Sequence, residues 1–314
     1  MLGLFCVLIL FIWFAALKPL SINKEINWAL YYSKNNQCEK AVQRIDNILS
    51  SHSIVDSYVR LKYIDIIKDC LIEDMNRKYV LAPKAVQILR ELKELMPNYT
   101  RIWIFLGNYL TILIENKEVL KIGDEDVEKL KKEIAFCYQK AYELSPKREE
   151  VLLNWIKTDF LFEDYQAAKE KTEQCINLNP NLSYCWWKKA IAHIYLKEFE
   201  QADKTIKIAH EKGHSSISKQ SLLQLQKTYV AVLKTIEDKD KNKELYIECH
   251  KKLADVYEKL IYIDYWNFQY HASLAYIYKE IGEYDKAREQ AMIVLQISPE
   301  SKPNIDAFLN TLPK

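Results

Sequence analysis

An all-α fold is what this sequence predicts, and three observations carry the prediction. Between Glu149 and His214 one 34-residue unit follows another without a gap. Leu152, Trp155, Ile156, Asp159, Tyr165, Ala168, Cys175 and Pro180 return as Trp186, Lys189, Ala190, His193, Phe199, Ala202, Ala209 and His214. A fixed period of this size marks an array of helical repeats. Pro97, Pro146, Pro180 and Pro299 each close an apolar, helix-periodic stretch, where a proline ring prevents the helix from continuing. Finally, 5 glycines and 8 prolines in 314 residues are too few for a turn-rich β protein. Each repeat buries its apolar face only against its neighbours, so the core grows one unit at a time whatever the chain length.

The spacing, together with Trp186, Ala202, Pro180, the Trp103-Ile104-Phe105-Leu106-Gly107 stretch and Gly282-Glu283-Tyr284-Asp285-Lys286-Ala287, resembles the tetratricopeptide repeat (TPR). The resemblance implies an α-solenoid of about seven TPR-like helix pairs over residues 22–301. A tail over 302–314 follows, and insertions are expected near 71–82, 115–132 and 237–247. Small residues such as Gly107 let two helices approach closely, and large ones fill the space beside them.

From the N-terminus, Met1 to Leu17 holds no charged residue. Seventeen helical residues reach roughly 25 Å, the short end of a membrane span, and Leu20 and Ile22 extend the apolar surface past Lys18. A cleaved signal peptide fits less well, because nothing basic precedes the apolar run. Residues 1–21 are therefore expected to form a transmembrane anchor and the protein to be a single-pass membrane protein. Lys18 and Lys24 favour a cytoplasmic soluble part by the positive-inside rule.

The repeats then follow in order. Ile26, Ala29 and Tyr32 pair with Ala41, Ile45 and Ile48; Leu61, Ile64 and Ile67 pair with Ala85, Leu89 and Leu92. Trp103, Leu106 and Leu110 pair with Ile134, Tyr138 and Ala141, across the charged stretch 115–132. The two 34-residue units come next. Leu222, Leu225 and Tyr229 then pair with Leu253, Tyr257 and Leu260, and Leu274 and Tyr278 with Ala287 and Ala291.

The 45 basic and 43 acidic residues leave a formal charge of +2 with no Lys/Arg block, which speaks against nucleic acid as a partner. The 7 cysteines form no C-x-x-C pair, so neither a disulfide scaffold nor a zinc ribbon is indicated, and they read as small core hydrophobes in a reducing compartment. His210-Glu211-Lys212-Gly213-His214 matches H-E-x-x-H, but the repeat register ends the helix here, with Gly213 as its cap, so no zinc site is expected. No phosphate loop, nucleophile elbow or kinase signature occurs, and no catalytic residue, metal or cofactor is expected.

The concave groove is the remaining candidate. The family resemblance places Asn108, Lys157, Trp187, Ile191, Tyr195 and Tyr276 on it, as a surface for a protein or peptide partner. Asn108 and Lys157 alone do not reproduce the carboxylate clamp of some family members. The expected function is a membrane-anchored scaffold without catalysis of its own. A second resemblance rests on the order of apolar segment, Lys18-Pro19 and degenerate repeats with Tyr- and Asn-rich helices. This order looks like the C-terminal part of bacterial O-antigen ligase or polymerase-like proteins. It implies a fragment or accessory of cell-envelope glycan assembly, with the repeats outside the cell and the catalytic residues outside this chain.

Overall fold

The computed structural model describes residues 11–49, 53–238 and 240–313, and among them every regular element is helical. The chain divides into two compact units, Met1–Asn154 and Trp155–Lys314.

In the first unit, helix α1 (Lys18–Lys34) pairs with α2 (Cys38–Leu49), and α3 (Asp56–Glu73) with α4 (Lys78–Leu95). Helix α5 (Thr100–Glu115) pairs with α7 (Asp124–Leu144), the short α6 (Lys117–Leu120) lying between them in sequence. The close approach of the last pair depends on Gly107. A Cβ there would lie 2.9 Å from the Tyr138 ring, so the ring occupies the space a side chain would need. Helix α8 (Glu149–Leu161) runs across the boundary between the units.

The second unit continues with α9 (Tyr165–Leu178), α10 (Ser183–Tyr195), α11 (Phe199–Glu211) and α12 (Lys219–Lys234). It ends with α13 (Lys243–Ile263), α14 (Phe268–Ile281), α15 (Tyr284–Ile297) and a closing α16 (Lys302–Leu309). Trp187, Ile194, Phe199, Ala202, Tyr229, Cys249, Leu253 and Leu260 belong to its main core. Ala275, Ala291, Val294 and Ile305 form a smaller cluster at its end.

Two local devices set the repeat geometry. Between helices, the Trp103 and Trp186 indole N–H groups donate to the carbonyls of Pro97 and Pro180, at 2.8 and 2.9 Å. His271 Nε2 meets the Tyr265 carbonyl at 2.9 Å in the same register. A ring nitrogen in the first turn thus pins the linker to the helix that follows it. Within a pair, the chain reverses through a residue with positive φ: Glu163, Lys197 and Gly282 at 60°, 63° and 84°. The next N–H then bonds back to Asp159, His193 or Tyr278, satisfying a helix-end carbonyl. Between successive pairs the linkers 96–99, 145–148, 179–182 and 264–267 each span four residues, whereas 212–218 is longer; it includes Gly213 at φ 92°.

Two sequence expectations are corrected here. The first is the membrane anchor. Residues 1–10 lie outside the described residues, and among the described ones no helix is long and apolar enough to cross a membrane. A single-pass membrane localisation built on residues 1–21 is therefore not upheld. The helical chain from Phe11 runs through a π-helical turn, Trp13–Leu17, directly into α1. There the Lys18 N–H reaches back to Trp13, a widening that accommodates Pro19. Helix α1 carries Lys18, Lys24, Glu25 and Lys34 on its outside and buries Ile22, Ile26, Ala29 and Ser33, so it belongs to the first repeat.

The second correction concerns cysteine. Cys38 and Cys70 form a disulfide between α2 and α3, with Cα atoms 5.6 Å apart. Cys175 and Cys185 form another between α9 and α10, at 6.1 Å. Both staple the second helix of one pair to the first helix of the next. Sequence spacing could not reveal partners contributed by separate helices. Cys137 and Cys249 are free and buried, and burial pushes each thiol up to about 12.

Candidate functional site

The first helices of successive pairs carry equivalent positions at equal distances from their starts. Lys157 and Tyr276 are each the ninth residue of their helices, α8 and α14; Lys188 and Ser273 are each the sixth, of α10 and α14. These four side chains therefore belong to one repeated helix face within the second unit.

The six residues expected on the groove separate on this framework. Tyr276 is 50 % exposed and Lys157 is exposed. Trp187 and Ile191 are each only 2 % exposed, so their placement on a groove surface is corrected. Helix α12 packs directly on α10 and covers them. The Trp187 indole N–H donates to Gln224 Oε1 of α12 at 2.8 Å, and its ring stacks on His214 with centroids 4.3 Å apart. Tyr195 is half-buried and stacks on Tyr165 at 3.9 Å. Asn108, in the first unit, accepts the Tyr138 hydroxyl at 2.8 Å, so that oxygen is already engaged inside its own pair.

What the structure adds is Lys188. Its ammonium lies over the rings of Phe160 and Tyr184, at 5.4 and 5.3 Å. Burial, reinforced by the charge of Lys157, pulls its pKa below the usual lysine value. Among the described residues no carboxylate pairs with Lys157 or Lys188, whereas Lys189, next in sequence, meets Glu173 at 3.0 Å. His214 feels the same field: burial, then Lys188 and His210, hold its pKa down. Two cations that feel each other's charge and two aromatic faces thus meet here, with no carboxylate in ion-pair reach among the described residues. Lys188 escapes a sequence reading because the repeat resemblance turns the adjacent Trp187 toward the groove. The helix is rotated by one position relative to that expectation.

The same face of the second unit holds an apolar hollow of about 490 Å³, whose lining includes Val230, Leu233, Leu253, Tyr257, Tyr276 and Ile277. Helix α13 forms its floor, and Lys234 stands beside it.

Elsewhere in the second unit Asp159 is 8 % exposed, and one of its carboxylate oxygens has no hydrogen-bond partner among the described residues. Burial raises its pKa to about 7, against the opposing charge of Lys171. One repeat later the equivalent residue is His193, which meets Glu198 at 2.5 Å. The H-E-x-x-H histidines diverge. Helix α11 ends at Glu211, His210 Nδ1 lies 3.2 Å from Ser216, and His214 Nε2 lies 3.3 Å from Ser221.

The paired helices and their pins define a TPR-like helical-repeat protein. No protein-family model and no curated protein matches the chain, so the resemblance to O-antigen ligase-like proteins gains no support. Similar solved structures include the human IFIT1 dimer with m7Gppp-AAAA, at 14% identity and a TM-score of 0.45, covering 87% of this chain and 54% of that one. The chain thus spans about half the length of the IFIT1 chain it matches. TTC0263, a thermophilic TPR protein in Thermus thermophilus, matches at 12% identity and TM-score 0.43, covering 68% and 98% of the two chains. YrrB, a TPR protein with an unusual peptide-binding site, matches at 13% identity and TM-score 0.42, covering 70% and 96%. At these scores the likeness carries no argument about function, and the repeat assignment rests on the helices themselves.

Proposed function

We propose that the chain is a non-catalytic helical-repeat scaffold that binds a protein partner through an acidic segment laid across Lys157 and Lys188. The observation that supports this reading is the uncompensated pair of ammonium groups, one of them largely enclosed. A charge withdrawn from water and left unpaired is costly. A carboxylate placed between the two lysines relieves both that cost and their mutual repulsion. The Phe160 and Tyr184 faces hold Lys188 in place for such a contact. Nucleic acid is a poorer fit, because it needs a long basic track and two lysines supply little of one.

The test is fluorescence anisotropy of a fluorescein-labelled octapeptide of alternating Asp and Glu against the full chain. A charge-assisted hydrogen bond contributes about 1.5–3 kcal/mol, so Lys188→Glu should weaken binding by roughly tenfold or more. Lys157→Glu should act in the same direction, and added salt should weaken the wild-type complex. Affinity should also fall as pH rises through the lowered pKa of Lys188, earlier than an ordinary lysine would allow. Equal binding by wild type and Lys188→Glu, or displacement of the peptide by an equimolar uridine octanucleotide, would overturn the reading.

A further inference from the structure

The hollow beside Tyr276 lies on the same repeated helix face as the lysine pair. We infer that the partner segment is bipartite: acidic residues at Lys157 and Lys188, and one large apolar side chain, within about nine residues of them, in the hollow between α12 and α14. This inference rests on the acidic-segment reading and gives it a second contact and a spacing.

Three observations lead here. The register equates Lys157 with Tyr276 and Lys188 with Ser273, so a chain lying over one pair meets the other without changing faces. Around the hollow, Tyr276 is half exposed whereas Leu253 and Tyr257 are buried at 3% and 8%. The result is an apolar floor with an aromatic rim, which is the composition of a side-chain anchor site. Its volume of about 490 Å³ accommodates a phenylalanine or tryptophan side chain. Lys234 is the charged lysine at its edge, so a neighbouring carboxylate in the segment is favoured there as well.

The spacing follows from helix packing. Lys188 stands on α10 and Tyr276 on α14, and the packed route between them runs through α12 and α13. Packed helices lie about 8–10 Å apart, so these three steps place the two sites at most about 30 Å apart. An extended chain covers about 3.3–3.6 Å per residue, so about nine residues between the acidic cluster and the anchor reach across and a single residue does not. Tethering converts the second contact into an intramolecular one, and the gain vanishes when the tether cannot span the two sites.

The experiment uses the full chain and labelled synthetic peptides with four acidic residues, a Gly/Ser spacer of one, five or ten residues, and a terminal Phe or Ser. The ten-residue spacer with Phe should bind at least about tenfold tighter than its Ser counterpart, and the one-residue spacer should show no such gain. Ser273→Trp, at the rim, should remove the gain while leaving the Ser peptides bound as before, and Tyr276→Ala should remove the gain as well. Circular dichroism melting checks that both variants stay folded. Equal binding of Phe and Ser peptides at every spacer overturns this inference alone. So does a gain that survives Ser273→Trp. If no acidic peptide binds at all, the acidic-segment reading falls and this inference falls with it.

Discussion

The two units treat their charges differently. In the first, several cations on packed helices meet carboxylates from other helices. Arg60 reaches Glu91 at 2.9 Å, Lys84 reaches Asp46 at 2.5 Å, Arg90 reaches Glu133 at 2.5 Å and Arg101 reaches Asp65 at 3.0 Å. The second unit uses the same device where Lys169 meets Glu198 at 2.9 Å and Lys219 meets Asp264 at 2.8 Å. It also holds two groups whose charged form burial disfavours, Lys188 and Asp159. Both units solve the same packing problem with the same repeat, so packing alone does not account for two groups buried against their charge. The difference directs a search for function to the second unit.

The disulfides give the largest expected effect and compare the units directly. Each joins neighbouring pairs, but Cys38–Cys70 spans a sequence separation of 32 and Cys175–Cys185 one of 10. Chain entropy gives the longer loop about 3.5–4 kcal/mol and the shorter about 3 kcal/mol. Cys38→Ser should therefore lower the unfolding free energy of its unit by about 1 kcal/mol more than Cys175→Ser lowers that of the other. Urea titrations of the two variants measure this, and equal losses would break the comparison.

Asp159 provides the next contrast. Its folded pKa, about 7, lies above the ordinary aspartate value, so the folded state holds a proton that the unfolded state has released. Stability from this group is present below about pH 4 and declines as pH rises through about 7. Asp159→Asn should flatten that decline and raise the stability of the second unit at pH 8 by on the order of 2 kcal/mol. Melting followed through the Trp155, Trp186 and Trp187 environments between pH 5 and 8 reads it. An unchanged slope in the variant would show that Asp159 is compensated after all.

The smallest effect sharpens a comparison within the second unit. Glu163 and Lys197 adopt the left-handed turn that Gly282 adopts without strain. Glu163→Gly and Lys197→Gly should each stabilise by about 1 kcal/mol through relief of that strain. Gly282→Ala should do the reverse. Thermal melts with no stabilisation in either glycine variant would show that the side chains' contacts outweigh the backbone cost.

Much of this architecture was legible in the sequence, and for local reasons. Pro97, Pro146, Pro180 and Pro299 each fall within two residues of a helix end, where the proline ring keeps the helix from continuing, whereas Pro83 lies inside α4. Ala168, Ala202 and Ala287 are completely buried, as the period of their repeats requires. The groove was less legible. Trp187 and Lys188 are adjacent, so the helix must turn only about 100° to exchange the buried one for the solvent-facing one. That rotation is fixed by α12 packing on α10, a contact made outside the local sequence window. The disulfides were hidden for the same reason, since Cys38 and Cys70 meet only after two pairs have stacked. Composition alone makes the apolar run at the N-terminus look like an anchor, whereas Ile22 and Ile26, at 4% and 0% exposure, show where the described helix turns its apolar face.

The central claim is that Lys157 and Lys188 together receive the acidic segment. The most direct measurement is the acylation rate of every lysine by N-hydroxysuccinimidyl acetate at pH 8, followed by peptide mass spectrometry, with and without the Asp/Glu octapeptide. Saturating peptide should slow the modification of Lys157 and Lys188 several-fold and leave Lys84 and Lys219, already paired with Asp46 and Asp264, unchanged. Unaltered rates at Lys157 and Lys188, or protection confined to lysines of the first unit, would contradict the account.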